Sequence, residues 1–166
     1  MDAGAQDNVC AELPPFFGLP VRRTGDELPL VGFDPARGQY HGPTMLDEVR
    51  DAAPPCALRV LALTEADLYA DSLSFVFGLA ETGGPAALVS IHRLRPEVYG
   101  QPPDRALFLR RVLVECVHEL GHTFGLGHCH VPTCVMRFSN RIEESDRKGP
   151  GFCAVHARKL RVALGR

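Results

Sequence analysis

Eleven consecutive residues constrain this chain more than any other stretch: His118-Glu119-Leu120-Gly121-His122-Thr123-Phe124-Gly125-Leu126-Gly127-His128. Two histidines four apart place both imidazoles on one face of a helix, one turn apart, where a single ion can bridge them. Glu119 projects about 100° further round that helix, so it reaches a water beside the ion rather than the ion itself. Gly125 tolerates a positive φ and lets the chain leave the helix. His128 can then swing back as a third ligand. Three protein ligands leave one tetrahedral position open, which distinguishes a catalytic zinc from a structural one. Such an ion lowers the pKa of bound water towards ~7 and polarises a carbonyl. Glu119 is then the expected general base, passing the water proton to a leaving amine. The reaction this chemistry suits is peptide-bond hydrolysis without a covalent intermediate.

The rest of the chain supplies a frame of ordinary make-up. Its 166 residues fit one domain (1–166), and 45% of them are hydrophobic against 23% charged. A formal net charge of −2 argues against nucleic acid or an anionic membrane as a partner. No apolar run approaches the ~20 residues needed to span a bilayer. The amino terminus lacks a basic region followed by an apolar one, so no secretory signal is expected. The six cysteines therefore belong in a reducing, cytoplasmic setting, where thiolates bind metal or stay free.

Read for organisation, residues 1–15 form a loose polar lead-in, and 16–23 a first strand interrupted by Pro20. A loop covers 32–42. Thr44 is expected to cap a short helix carrying Met45, Leu46 and Val49 on one face. Further strands are expected over 57–64, 75–80 and 87–94, with a turn at Gly83-Gly84-Pro85. Asp104 caps a long helix from Ala106 to about Phe124, whose stripe Leu109, Leu113, Cys116, Val117, Leu120 and Phe124 marks it as central and buried. The stretch 131–151 is irregular, and 152–164 forms a last short helix.

A second cluster lies directly downstream. Cys129 follows His128, Cys134 comes five residues later, and Cys153-Ala154-Val155-His156 opens the last helix. Three thiolates and an imidazole make a closed, structural tetrahedral zinc site. Because Cys129 adjoins His128, the two metals must lie within roughly 15 Å. His130 is the alternative fourth ligand to His156, although its adjacency to Cys129 strains joint tetrahedral binding. Cys10, Cys56 and Cys116 read as small core residues.

The motif with Met136 eight residues beyond His128 is the metzincin signature, in which a methionine turn floors the metal. With Cys129, Cys134, Cys153 and His156, and with the stretches 34–40, 67–69, 75–78 and 152–153, nearly the whole chain resembles the archaemetzincins. The family's last ligand is usually cysteine where His156 stands here. The resemblance implies an α+β, zincin-like fold: a twisted mixed sheet over a long active-site helix, here an upper part (1–128) and a small zinc-stabilised lower part (129–166). It implies one catalytic and one structural zinc, a peptide or protein substrate, and a peptide bound along an edge strand placed at 88–94. Arg93, Arg95, Arg110 and Arg111 either bias the cleft towards acidic substrates or form a solvated face. A monomer is expected. The rival reading is a zinc-stabilised peptide-binding module with little proteolytic activity.

Overall fold

The apolar run after Gly83-Gly84-Pro85 becomes the middle of the molecule. In the computed structural model, which describes residues 2–166, Ala86–Ser90 is a strand buried at all five positions. Alternate side chains of this strand serve two cores. Ala86 and Leu88 pack with Met45, Leu46 and Val49, whereas Ala87 and Val89 pack with Val112, Val117 and Leu120. A strand covered on both faces reads as continuously apolar, so no hydrophobic alternation was there to find.

Around it the elements run α1 (Ala3–Glu12), α2 (Pro14–Phe17), β1 (Phe33–Asp34), β2 (Gln39–His41), α3 (Gly42–Asp51), β3 (Val60–Thr64), β4 (Leu68–Ala70), β5 (Leu73–Val76), β6 (Gly78–Ala80), β7 (Ala86–Ser90), α4 (Arg105–Thr123), α5 (Ile142–Arg147) and α6 (Ala154–Ala163). They build two mixed sheets, ordered β1-β2-β4-β5 and β3-β7-β6. Strand β7 pairs parallel with β3 and antiparallel with β6. Helix α3 covers one face of β7 and α4 the other. This is the expected α+β class. Among the described residues no helix is long and apolar enough to cross a membrane.

Several expectations need correction. Residues 2–15 are not a loose lead-in. Asp2 accepts a hydrogen bond from the Ala5 amide at 2.9 Å and starts α1, which buries Ala5 and Val9, with Leu13 just past its end, at four-residue spacing. The expected strand over 16–23 is absent: Phe17 ends α2 and Gly18 terminates it at φ 62°. The loop over 32–42 holds the β1–β2 hairpin. Helix α3 starts at Gly42, before Thr44, whose hydroxyl bonds the His41 ring at 2.8 Å. The single strand expected over 75–80 is two, because the chain passes from one sheet to the other at the buried Phe77. The strand over 87–94 ends at Ser90 and gives way to a 3-10 turn, His92–Leu94. The irregular stretch 131–151 contains α5, and Cys56 is exposed rather than in a core.

Helix α4 follows its sequence closely. Asp104 Oδ1 accepts from the Leu107 amide at 2.9 Å. At the other end the Leu126 amide reaches the Gly121 carbonyl (3.1 Å) and the Gly125 amide the His122 carbonyl (2.8 Å), with Gly125 at φ 78°. That paired closure is the Schellman arrangement, and its glycine supplies the left-handed residue.

Candidate metal centres and cleft

The helix ending builds the first centre. His118 and His122 lie on adjacent turns of α4 with their Nε2 atoms 3.1 Å apart. The Schellman turn swings the chain back so that one nitrogen from each of His118, His122 and His128 lies within 4.8 Å of the others. The same turn aims the Leu126 carbonyl at His122 Nδ1 (2.7 Å), and the Val135 carbonyl meets His118 Nδ1 at 2.7 Å. A carbonyl only accepts, so each Nδ1 carries the proton and each Nε2 presents a lone pair. Burial, aided by the Lys148 charge, holds His118 well below the ordinary imidazole pKa and lowers His122 and His128 as well. Neutral imidazoles are the ligand form. A tetrahedral zinc with bonds of about 2.0–2.1 Å separates its nitrogens by about 3.4 Å, so the donor set suits that ion.

Glu119 sits beside this trio and is buried. Burial and the neighbouring Glu115 raise its carboxyl well above the usual range, against the pull of Lys148. Strand β6 lies directly on it: a Cβ on Gly78 would stand 2.6 Å from Glu119 Cγ and 2.8 Å from Oε1. Only a glycine lets that backbone approach so closely. The second close approach is at Gly121, where a Cβ would collide with the sulfur of the fully buried Met136. Met136 thus lies under the helix between the two histidines of α4.

The second centre gathers Cys129, Cys134, Cys153 and His156 within 4.8 Å of one another. Cys129 Sγ and Cys153 Sγ are 3.8 Å apart, and His156 Nδ1 lies 3.3 Å from Cys153 Sγ and 3.9 Å from Cys134 Sγ. A tetrahedral zinc with Zn–S near 2.3 Å requires edges of about 3.6–3.8 Å. Hydrogen bonds from the His156 backbone and ring pull the Cys153 thiol down to about 6, while burial pushes Cys134 up to about 11. His130 is exposed and stands outside this group; its carbonyl accepts from Arg137 Nη1 at 2.9 Å. His156 Nε2 donates to the Gly127 carbonyl at 3.1 Å. His128 is therefore held on both sides, through Gly127 and through Cys129.

Above the histidines lies a cavity of about 460 Å³. Its upper rim is the run 73–80, where β5 is the edge of one sheet and β6 the edge of the other. The edge is therefore not 88–94, since β7 is paired on both sides. Its lower rim is Phe138–Asn140, with Phe138 packed on the His128 ring at 4.9 Å. The four arginines do not line it. Arg93 binds Asp67 through two bonds of 2.6 and 2.7 Å, Arg95 reaches Glu65, Arg110 donates to the Asp146 and Lys148 carbonyls, and Arg111 binds Asp146.

Gly78, Gly121, Glu115, Ser139 and Lys148 also belong to this neighbourhood and escape a reading of the sequence for ligands. Glu115 had a signal, since it lies three residues before His118 on the same helix face. Lys148, 33 residues further along, had none.

A zincin-like fold around a three-histidine centre defines a zinc metallopeptidase, and comparison with known proteins agrees. The model of Peptidase family M54 matches residues 43–162. An archaemetzincin of Pyrococcus furiosus is 46% identical over 158 residues, covering 90% of this chain and 80% of the relative. The crystal structure of archaemetzincin from Methanopyrus kandleri superposes with a TM-score of 0.87 at 41% identity, over 100% of this chain and 89% of that one. A zinc-dependent peptidase from Methanocorpusculum labreanum gives 0.85 at 35% identity, over 96% and 95%. The chain belongs to Peptidase family M54, the archaemetzincins.

Proposed function

We propose that His118, His122 and His128 hold the catalytic zinc and that Glu119 is the general base of peptide hydrolysis. The observation that carries this is the convergence of three imidazole nitrogens, two with Nδ1 tied to a backbone carbonyl, beside one buried carboxyl. The ion, when bound, supplies Lewis acidity towards the scissile carbonyl and acidifies water. The exposed edge of β5 and β6 aligns an extended peptide by main-chain hydrogen bonds. Glu119, under Gly78, accepts the proton of the attacking water and delivers it to the amide nitrogen as the C–N bond breaks. Its raised pKa suits a group that both takes and returns a proton.

Cys129, Cys134, Cys153 and His156 hold a second, structural zinc in this reading, giving two per chain. That ion fastens a lower part (129–166) beneath an upper part (1–128). Three thiol ligands need reducing surroundings, in keeping with a cytoplasmic, monomeric enzyme. Neither nucleic acid nor membrane is a partner in this reading. The test combines metal analysis with turnover. The parent should carry two zinc per chain and cleave peptides. Glu119→Ala should keep both metals and lose about 10²–10⁴-fold in kcat. Turnover by Glu119→Ala equal to the parent's would remove Glu119 from the mechanism.

A further inference from the structure

The cavity that holds the histidines is also lined by a pair of buried charges that take no direct part in peptide hydrolysis. Lys148 Nζ lies 3.2 Å from Glu115 Oε1, with the two side chains 1% and 4% exposed. The ammonium also donates to the Arg137 carbonyl at 3.1 Å, and Ser145 Oγ donates to the same Glu115 oxygen at 2.7 Å. An ammonium has three donors, and among the described residues Glu115 and Arg137 are its partners. Ser139, on the lower rim, has a buried hydroxyl with no hydrogen-bond partner among the described residues. Glu115, Lys148 and Ser139 all line the one cavity. The same cavity also has apolar walls, formed in part by Phe75, Phe77 and Phe138.

We propose that this polar group is a specificity pocket for a substrate side chain ending in a carboxamide, glutamine or asparagine, at a residue flanking the scissile bond. The inference rests on the zinc and Glu119 assignment above and names the substrate class of that site. Apolar walls together with a polar group fit an aliphatic stem with a polar tip. The carboxamide carbonyl accepts from Lys148 and Ser139, and its NH2 donates to Glu115. A carboxylate would face Glu115 and an ammonium would face Lys148, so a full charge of either sign meets its like. A methionine of similar length would leave the Ser139 hydroxyl and the Lys148 donor dry and unpaired, which is how hydrogen-bonding sites reject apolar analogues.

The experiment uses one peptide series differing at a single position, Gln, Met, Glu or Lys, placed in turn on each side of the scissile bond. Binding to zinc-loaded Glu119→Ala is measured by calorimetry, and turnover by the zinc-loaded parent. The Gln peptide should bind about tenfold tighter than the Met, Glu and Lys peptides at one of the two positions. Ser139→Ala, added to Glu119→Ala, should cut that preference several-fold with Tm unchanged, because the hydroxyl supports nothing in the free protein. Glu115→Met and Lys148→Met made together leave no orphaned buried charge, and they should turn the preference towards Met. Equal binding of all four peptides, a preference for Met in Glu119→Ala, or a Gln preference that survives both sets of changes overturns the pocket. Selective Gln binding without cleavage by the parent would keep the pocket and sink the hydrolytic reading. Cleavage indifferent to the flanking residue would do the reverse.

Discussion

The two ligand clusters share one stretch of chain and are built by opposite means. The histidine centre takes two of its ligands from successive turns of α4 and the third from the Schellman turn that ends it. Backbone carbonyls aim two of the rings, and the rigid helix sets their spacing. The cysteine centre draws its ligands from an isolated bridge with Arg137, a turn and the start of α6, in a region that buries few apolar side chains. The first faces a cavity and leaves room for substrate. The second is closed by four donors, one of which also grips the Gly127 carbonyl. In the proposed reading a preorganised scaffold leaves its ion open, whereas a region with little core would use a sealed one to fold.

Changes can be ranked by how hard they strain this contrast. The largest effect should come from Cys134→Ser, which removes a fully buried thiolate from the closed centre. Structural zinc contributes apparent free energies of order 10 kcal/mol in small domains. Zinc per chain should fall from two to one or none, and rapid hydrogen exchange should appear across 129–166. Full activity with slow exchange there would mean that the closed centre is dispensable. Gly78→Ala comes next. Its methyl must displace Glu119, so kcat should fall about 10- to 100-fold while both metals stay bound. An unchanged rate would show that the β6 backbone does not position the base.

His156 separates the two duties of the closed centre. His156→Cys should keep two zinc ions, because four thiolates also satisfy the metal, but it loses the bond to Gly127. We expect a severalfold loss of activity, read as kcat at saturating zinc, whereas His156→Ala should release the second ion. Equal zinc content in both variants would take His156 out of the ligand set.

The smallest effect lies away from both centres and serves as their control. Arg105, by hydrogen bonds of 2.7 and 2.9 Å, holds the Asp2 carboxyl well below the usual carboxylate range. A depressed folded-state pKa contributes stability above the unfolded value, near 4, and loses it as pH falls towards the folded value. Asp2→Asn keeps an N-cap and removes the charge. Its Tm should drop by about a degree or two at pH 7 and match the parent more closely below about pH 3. A gap that does not narrow with acid would assign the contact a non-ionic role.

What could be read from the sequence follows from how local each signal is. Helix α4 has a 19-residue stripe and a capping aspartate, so pattern alone places it. The histidine cluster is legible for the same reason, since spacing at a helix end decides which side chains meet, whereas the cysteine cluster joins residues more than twenty apart and left His130 and His156 as rivals for its fourth place. Helix α1 escapes because its buried residues, Ala5 and Val9, with Leu13 just past its end, are few and sit among polar ones. Strands of two or three residues, β1, β2 and β4, carry too little pattern for periodicity to register. The run 75–80 misleads because it is unbroken and apolar across a change of sheet. The Glu115–Lys148 pair and the contact of Gly78 with Glu119 join distant parts of the chain, and neither leaves a local trace.

Met136 lies at 0% exposure with its sulfur where the missing Gly121 side chain would be. An oxygen added to that thioether would have to prise the helix from its floor. Peroxide should therefore mark Cys56 first, the exposed thiol, and the half-buried thiols, Cys10 with Cys129 and Cys153 when these two hold no metal, next. Sulfoxide at Met136 would then report that the molecule had already opened, so this residue can serve as an internal recorder of unfolding under oxidant stress.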